Sequence, residues 1–348
     1  MIIKMPDTTT AAVESKLVEL KQNGNAVALG RVLTLVILND QDDPTAETGA
    51  TNDYRGSDYH INAEAAITAA NQASKEHPAR ILALSGAPDT RWDETHGIED
   101  TDLGQGAKPR LDAELRIGGD AGASEVVALK LGGALRQQSE AVITPLLVPD
   151  APIVAWWPGH APESPAADPV GRVAALRITD ANHCRHGGAV LRRLAKNYQP
   201  GDTDLAWTRL TGWRAQIAAA LDLPPFEQVT KATVYGVEDR ASSWLLAGWL
   251  AVELNCPTEF IAVPNAQGIT GVRLNRASGD IVFHRPDGKT LAISQPGFPP
   301  RHIALPLTSL SEALTEELRR LDADRVYEKV LTKGLDLVAT HESGSPNE

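Results

Sequence analysis

Cysteine is nearly missing from this 348-residue chain: only Cys184 and Cys256 occur, far apart in sequence. That excludes a disulfide framework and a CxxC-type zinc pair, and it leads us to expect an intracellular protein. Positive charge is also in deficit, with 33 Lys and Arg against 45 Asp and Glu and a formal net charge of −12. Bulk electrostatic attraction to nucleic acid or to an anionic membrane is thereby excluded. Long apolar runs are absent as well. The most apolar helical stretch, ASSWLLAGWLAVEL (241–254), is shorter than the roughly 20 residues a membrane-spanning helix needs. MIIKMPDTTTAAVESKLVEL (1–20) has no uninterrupted apolar segment, so a cytoplasmic location is expected. Neither GxGxxG nor GxxxxGK[ST] occurs. The one glycine-rich contender, GGDAGAS (118–124), precedes EVVALKL, which alternates like a strand, so a hairpin turn is expected there. No nucleotide cofactor and no metal are expected.

What is present reads as two domains, 1–198 and 199–348, since the chain is long for one core. In the first, residues 11–21 form an amphipathic helix pattern. VLTLVIL (32–38) is the continuous run of a strand buried on both faces, and INAEAAITAANQASKEH followed by PARILALSG reads as helix then strand. LDAELRI and EVVALKL suggest a hairpin, SEAVITPLLVPD a short helix, APIVAWW and RITDA strands, and PVGRVAAL a short helix between them. Two acidic stretches, 39–60 and 87–107, read as long loops. The expected fold is α/β, a mainly parallel, mixed sheet with helices on both faces, followed by a smaller α+β domain. In the second domain, 201–225 reads as one helix with the stripe Trp207, Leu210, Trp213, Ile217 and Leu221. VTKATVYGV is a strand, 271–297 a meander turning at Ser278-Gly279 and Asp287-Gly288, and about 309–337 one long helix before a disordered ATHESGSPNE tail.

Candidate chemistry is sparse. NHCRH brings His183, Cys184 and His186 together, but ligands so close rarely converge on one ion, and a loop or helix start is the preferred reading. Arg185 and the two histidines make Cys184 a weak redox candidate; Cys256 reads as a small buried residue. GDTD has the form of an Asp-x-Asp metal site, yet both carboxylates stand where a helix N-terminus needs acceptors, so capping is favoured. His77, His160, Asp180 and His183 are the acid–base groups an enzyme would use, and no spacing ties them together, so no catalytic set is assigned. Six of the seven tryptophans fall between 156 and 249 in a chain that is only 5% aromatic. Trp156 and Trp157 end one strand, so they face opposite sides of a sheet; one is expected under covering helices and the other at the open C-terminal edge. Arg209 and Arg214 lie off the Trp207/Trp213 stripe. Tryptophan and arginine are enriched in interface hot spots, which makes Trp156, Trp157, Arg209 and Arg214 the expected partner-binding residues.

HPARI, TPLLVPDAPIVAWWPG, RITDA and YQPGDTDLAWTRLTGWRAQIAAALD together resemble the actinobacterial OpcA-type glucose-6-phosphate dehydrogenase assembly proteins, over about residues 60–310. The pairing of VAWWPG with GDTDLAWTRLT carries the specificity. The resemblance implies a non-catalytic cytoplasmic protein that binds glucose-6-phosphate dehydrogenase, supports its oligomeric assembly and raises its activity in the oxidative pentose phosphate pathway. Related cyanobacterial proteins are linked to thioredoxin control through cysteines; with only Cys184 and Cys256 here, that property is not carried over. The competing reading is a sugar-phosphate-binding enzyme of the same pathway, a lactone hydrolase or isomerase.

Overall fold

A computed structural model describes residues 1–22, 32–39, 61–86, 109–117, 125–184 and 186–341. Of the expected loop at 39–60 only Asn39 is described, and it ends a strand; residues 40–60, the expected loop at 87–107, the turn at 118–124, Arg185 and the tail from 342 onward lie outside the described residues. The chain divides into two compact units. Among the described residues, the first comprises 1–179 with Leu310–Asp322 and the second Asp180–Ser309 with the chain from Ala323.

The first unit contains β1 (Ile2–Met5), α1 (Thr10–Gln22), β2 (Leu33–Asn39), α2 (Ala63–Ala73), β3 (Ala79–Gly86), β4 (Arg110–Arg116), β5 (Glu125–Gly132), α3 (Ser139–Ile143), β6 (Ile153–Trp157) and β7 (Leu176–Thr179). Its strands lie in the order β1-β4-β5-β3-β2-β6-β7. Pairing is parallel from β5 through β7 and antiparallel where β4 joins β5 and β1 joins β4, so the sheet is mixed as expected. β2 is buried on both faces over its first five residues, whereas β4 alternates between buried and more exposed positions. Both follow from hydrophobic patterning: a continuous run for a central strand and alternation near an edge. Val13, Leu17 and Leu20 of α1 pack on one face with Val36, Leu82, Leu129 and Trp157. α2 contacts β2 and β3. It starts where the Asn62 side chain accepts a hydrogen bond from the Ala65 N–H, the exchange that makes Asn a good helix start.

PVGRVAAL is a turn rather than a helix. Asp168 Oδ1 accepts from the N–H groups of Val170 and Gly171 at 2.8 and 3.2 Å, a local bond that competes with helical pairing. Gly171 sits so tightly that a Cβ there would lie 1.8 Å from the Pro165 carbonyl oxygen.

The second unit holds α4 (Gly187–Lys196), β8 (Asp202–Asp204), α5 (Leu205–Thr208), α6 (Thr211–Leu221), β9 (Lys231–Gly236), α7 (Ala241–Leu254), β10 (Thr258–Ala262), β11 (Gly271–Asn275), β12 (Ile281–His284), β13 (Thr290–Ser294) and β14 (Arg301–Ala304). α8 (Leu310–Glu317), which follows, belongs to the first unit, where it packs on α2 and the Thr315 carbonyl lies 3.1 Å from His77 Nε2. α9 (Arg325–Lys329) and β15 (Val338–His341) return to the second unit. Its sheet runs β14-β13-β12-β11-β9-β10-β15, parallel across β9, β10 and β15 and an antiparallel meander beyond. The meander turns at Gly279 (φ +120°) and Gly288 (φ +67°), as read from sequence. The expected α+β character is therefore seen.

Two helical expectations and one on the tail are corrected. The segment 201–225 is a short strand and two helices, because Asp204 is extended and caps α5 through the Ala206 N–H at 2.8 Å, and the chain turns again at Leu210. The long terminal helix is broken: Asp324 Oδ1 accepts from the N–H groups of Val326 and Tyr327 at 2.8 and 3.0 Å and starts α9 afresh. Part of the supposedly disordered tail is ordered, since Val338–His341 pairs in parallel with β10.

Candidate functional site

Both adjacent tryptophans are interior. Trp156 is fully buried and Trp157 is 5% exposed. They point to opposite faces of β6, with Trp157 in the α1-side cluster beside Val170 and Ala174. Against expectation, neither tryptophan is exposed at the strand's edge, because Val170 and Ala174 pack against Trp157. The Gly171 position touches the Trp157 ring, at 3.3 Å from a Cβ placed there.

Arg209 is not a surface residue either. Its side chain is 8% exposed and grips Asp180 in a two-pronged pair, Nη1 to Oδ1 at 2.7 Å and Nη2 to Oδ2 at 2.9 Å. His183 Nδ1 approaches Oδ2 of the same carboxylate at 2.8 Å. Burial pushes the Asp180 carboxyl up, but the Arg209 guanidinium and His183 outweigh it and hold it well below the usual carboxylate range. Asp180 and His183 are thus brought together, while His77 lies in the first unit against Thr315 and His160 is exposed there. Arg214 is partly exposed, with its guanidinium 3.8 Å from the centre of the Trp207 ring. Trp207 donates Nε1–H to Asp324 at 2.8 Å and, like Trp213, is core.

In GDTD, Asp202 accepts from the Gln199 N–H at 2.8 Å, and Asp204 accepts from Ala181 as well as Ala206. Backbone capping engages both carboxylates. Cys184 is 9% exposed and its Sγ lies 3.6 Å from the Asp180 carbonyl oxygen. Burial pushes the Cys256 thiol up.

The second unit also contains a cavity of about 70 Å³ that sequence reading missed. Arg209, Arg240 and Arg285 line it together with Asn182, Trp213 and Gly268, and among the described residues no acidic side chain does. The residues come from the turn after β7, the α5–α6 junction, the start of α7, the β10–β11 loop and the end of β12, separated in sequence by up to about a hundred residues. One signal was available. Arg285 continues the inward parity of Ile281 and Phe283, so period-two alternation already placed a cation on the core side. A larger cleft of about 690 Å³ in the first unit is electrostatically different: Arg116 there pairs with Glu64 and with Glu114.

Two family models match the chain. The glucose-6-phosphate dehydrogenase subunit N-terminal domain covers residues 70–196 and the corresponding C-terminal domain covers residues 200–331. No match is found among curated proteins. Among solved structures, the chain is similar to the 3-ketoreductase KijD10 from Actinomadura kijaniata at 8% identity and TM-score 0.41, over 90% of this chain and 100% of that one. It is also similar to glucose-6-phosphate 1-dehydrogenase from Mycobacterium avium at 10% identity and TM-score 0.37, over 91% and 95%. Likeness at this level carries no functional argument. The two family models meet between residues 196 and 200 and leave few residues unmatched from 70 to 331, so the chain belongs to the OpcA-type family of glucose-6-phosphate dehydrogenase assembly proteins.

Proposed function

We propose that this chain is a non-catalytic cytoplasmic assembly factor that binds glucose-6-phosphate dehydrogenase and favours its active oligomer, raising flux into the oxidative pentose phosphate pathway. The observation that carries this reading is the match of both halves of the chain to domains of one assembly family. The physical device is linkage. A protein that binds the active assembly more tightly than the inactive form shifts the population by that difference in affinity, and tenfold needs only about 1.4 kcal/mol.

We place the partner surface on the second unit at Arg214, whose partly exposed guanidinium is stacked on Trp207. Arg209 supports it from beneath by fixing the α5–α6 junction. Trp156 and Trp157 contribute only as the packed interior of their sheet, since neither has surface to offer.

The test is a titration of this chain into the dehydrogenase with rate and particle mass read together. The expected result is a rise in rate that saturates together with a larger particle. A larger particle with unchanged rate would reduce the role to scaffolding, and no change in mass would overturn the reading. The chain alone should turn over neither phosphosugars nor their lactones; turnover abolished by changing His183 would refute the non-catalytic part.

A further inference from the structure

At the arginine-lined cavity of the second unit, a buried cation meets only neutral hydrogen-bond partners among the described residues. Arg285 is only 4% exposed, yet its partners are neutral: Nη1 donates to the Leu305 carbonyl at 2.9 Å and Nη2 to the Ile269 carbonyl at 3.0 Å. Its Nε is buried and bonded to nothing among the described residues, and no carboxylate there comes within ion-pair distance of it. A buried cation without a counter-charge is costly, and mutual pairing is the usual remedy. Burial does depress the Arg285 pKa, to about 10, with exposed Asp287 opposing the shift, and the group stays charged at neutral pH.

Two further guanidinium groups stand in the cavity wall. Arg209 and Arg240 line the same space. Arg209 is balanced by Asp180, and Arg240 donates Nη1 to the Asn182 carbonyl at 2.6 Å. The N-terminus of the 14-residue α7 stands beside them with no acidic residue in its first turn, its Ser242 N–H donating to Asn182 Oδ1 at 2.9 Å. In a chain of net charge −12, the described lining of this cavity holds three guanidinium groups, of which Arg209 is paired with Asp180, and no carboxylate among the described residues. The Trp213 ring lies 4.9 Å from the Arg285 guanidinium and holds it in place. A volume of about 70 Å³ leaves room for a tetrahedral oxyanion.

We propose that this cavity is an anion site for a phosphate group, supplied either as free phosphate or as the phosphate of a small phosphate monoester whose remaining atoms stay outside. Guanidinium is suited to it, because its planar fork of donors matches phosphate oxygens and its charge is fixed. The proposal is independent of the dehydrogenase reading, and its test uses the full chain alone.

Calorimetric titration with inorganic phosphate, glucose 6-phosphate and glucose, at constant ionic strength, separates the sources. One-site saturable binding of the phosphate-bearing compounds and none of glucose is expected. Glucose 6-phosphate tighter than inorganic phosphate identifies the monoester, and the reverse identifies the free ion. Arg285→Gln should weaken binding at least about tenfold, as loss of a charged hydrogen-bond donor does. Gly268→Ala is the second variant: its new methyl would lie 3.5 Å from Leu307 and 3.8 Å from Arg285 Nη2, ordinary contacts that narrow the cavity without straining the fold. It should melt like wild type and bind phosphate more weakly. Absence of saturable binding by wild type in the millimolar range, or equal affinity in wild type and Gly268→Ala, overturns the proposal even where Arg285→Gln fails to fold.

Discussion

Replacing Arg209 with alanine would leave Asp180 ionised, fully buried and deprived of both guanidinium hydrogen bonds, at 2.7 and 2.9 Å. Only His183 Nδ1, at 2.8 Å, would remain to compensate it. Breaking a buried ion pair from one side costs about 3–5 kcal/mol, far more than the roughly 0.5 kcal/mol of an ordinary surface change. For a unit of this size that is a fall in melting temperature of about 6–20 °C. Asp180→Asn in the same background should recover part of the loss, because the stranded charge is then gone; a double-mutant cycle on the four proteins measures the coupling. The pH dependence gives a second readout. In wild type the folded carboxyl is held below its unfolded value of about 3.9, so its contribution is complete above about pH 4 and is lost as pH falls below that. In Arg209→Ala, burial acts without its counterweight and raises the folded pKa. The variant's deficit should therefore be largest near neutrality and shrink as acid protonates Asp180. A variant melting within about 2 °C of wild type at pH 7, or a deficit that grows with acidity, would refute the assignment of Arg209 as the counter-ion that holds the α5–α6 junction.

Arg214→Ala removes a partly exposed stacking contact and a long hydrogen bond to Thr211 Oγ1 at 3.4 Å, so it should cost about 1 kcal/mol in a melting experiment while weakening dehydrogenase binding by about 2 kcal/mol or more in calorimetry. Full-strength binding by a normally melting variant would move the partner face elsewhere. Gly334→Ala should destabilise by about 1–3 kcal/mol in denaturant titration, because its Cβ would sit 2.7 Å from the Gly248 carbonyl oxygen of α7 and both backbones must shift; a neutral change would show that this contact yields freely. Native-state thiol titration at pH 7.5 should label Cys184 slowly because it is buried and Cys256 slowly because burial raises its pKa, with both reacting at once in guanidinium. Rapid labelling of Cys184 in the native protein would revive it as a redox site.

Sequence alone determined most of the strands, the mixed character of the first sheet and the meander of the second, whereas the parallel run β9-β10-β15 was not legible. The doubly buried run of β2, the alternation in β4 and the glycine turns of the meander express strictly local rules of pleat and backbone freedom. It also determined that Asp202 and Asp204 serve backbone N–H groups, because a carboxylate beside a helix start finds its partners within a few residues. Tertiary structure decided the helix breaks at Leu210 and Asp324, where apolar periodicity runs on. At Asp324 a carboxylate that also receives the Trp207 indole N–H caps a new helix instead of continuing the old one. It decided the fate of the arginines as well. Arg209 and Arg214 look equivalent in WTRLTGWR, yet one is consumed by Asp180 and the other is stacked at the surface. The cavity of Arg209, Arg240 and Arg285 was beyond sequence reading for the same reason: charge acts through space over a few ångströms, and only the folded chain decides which distant residues come that close.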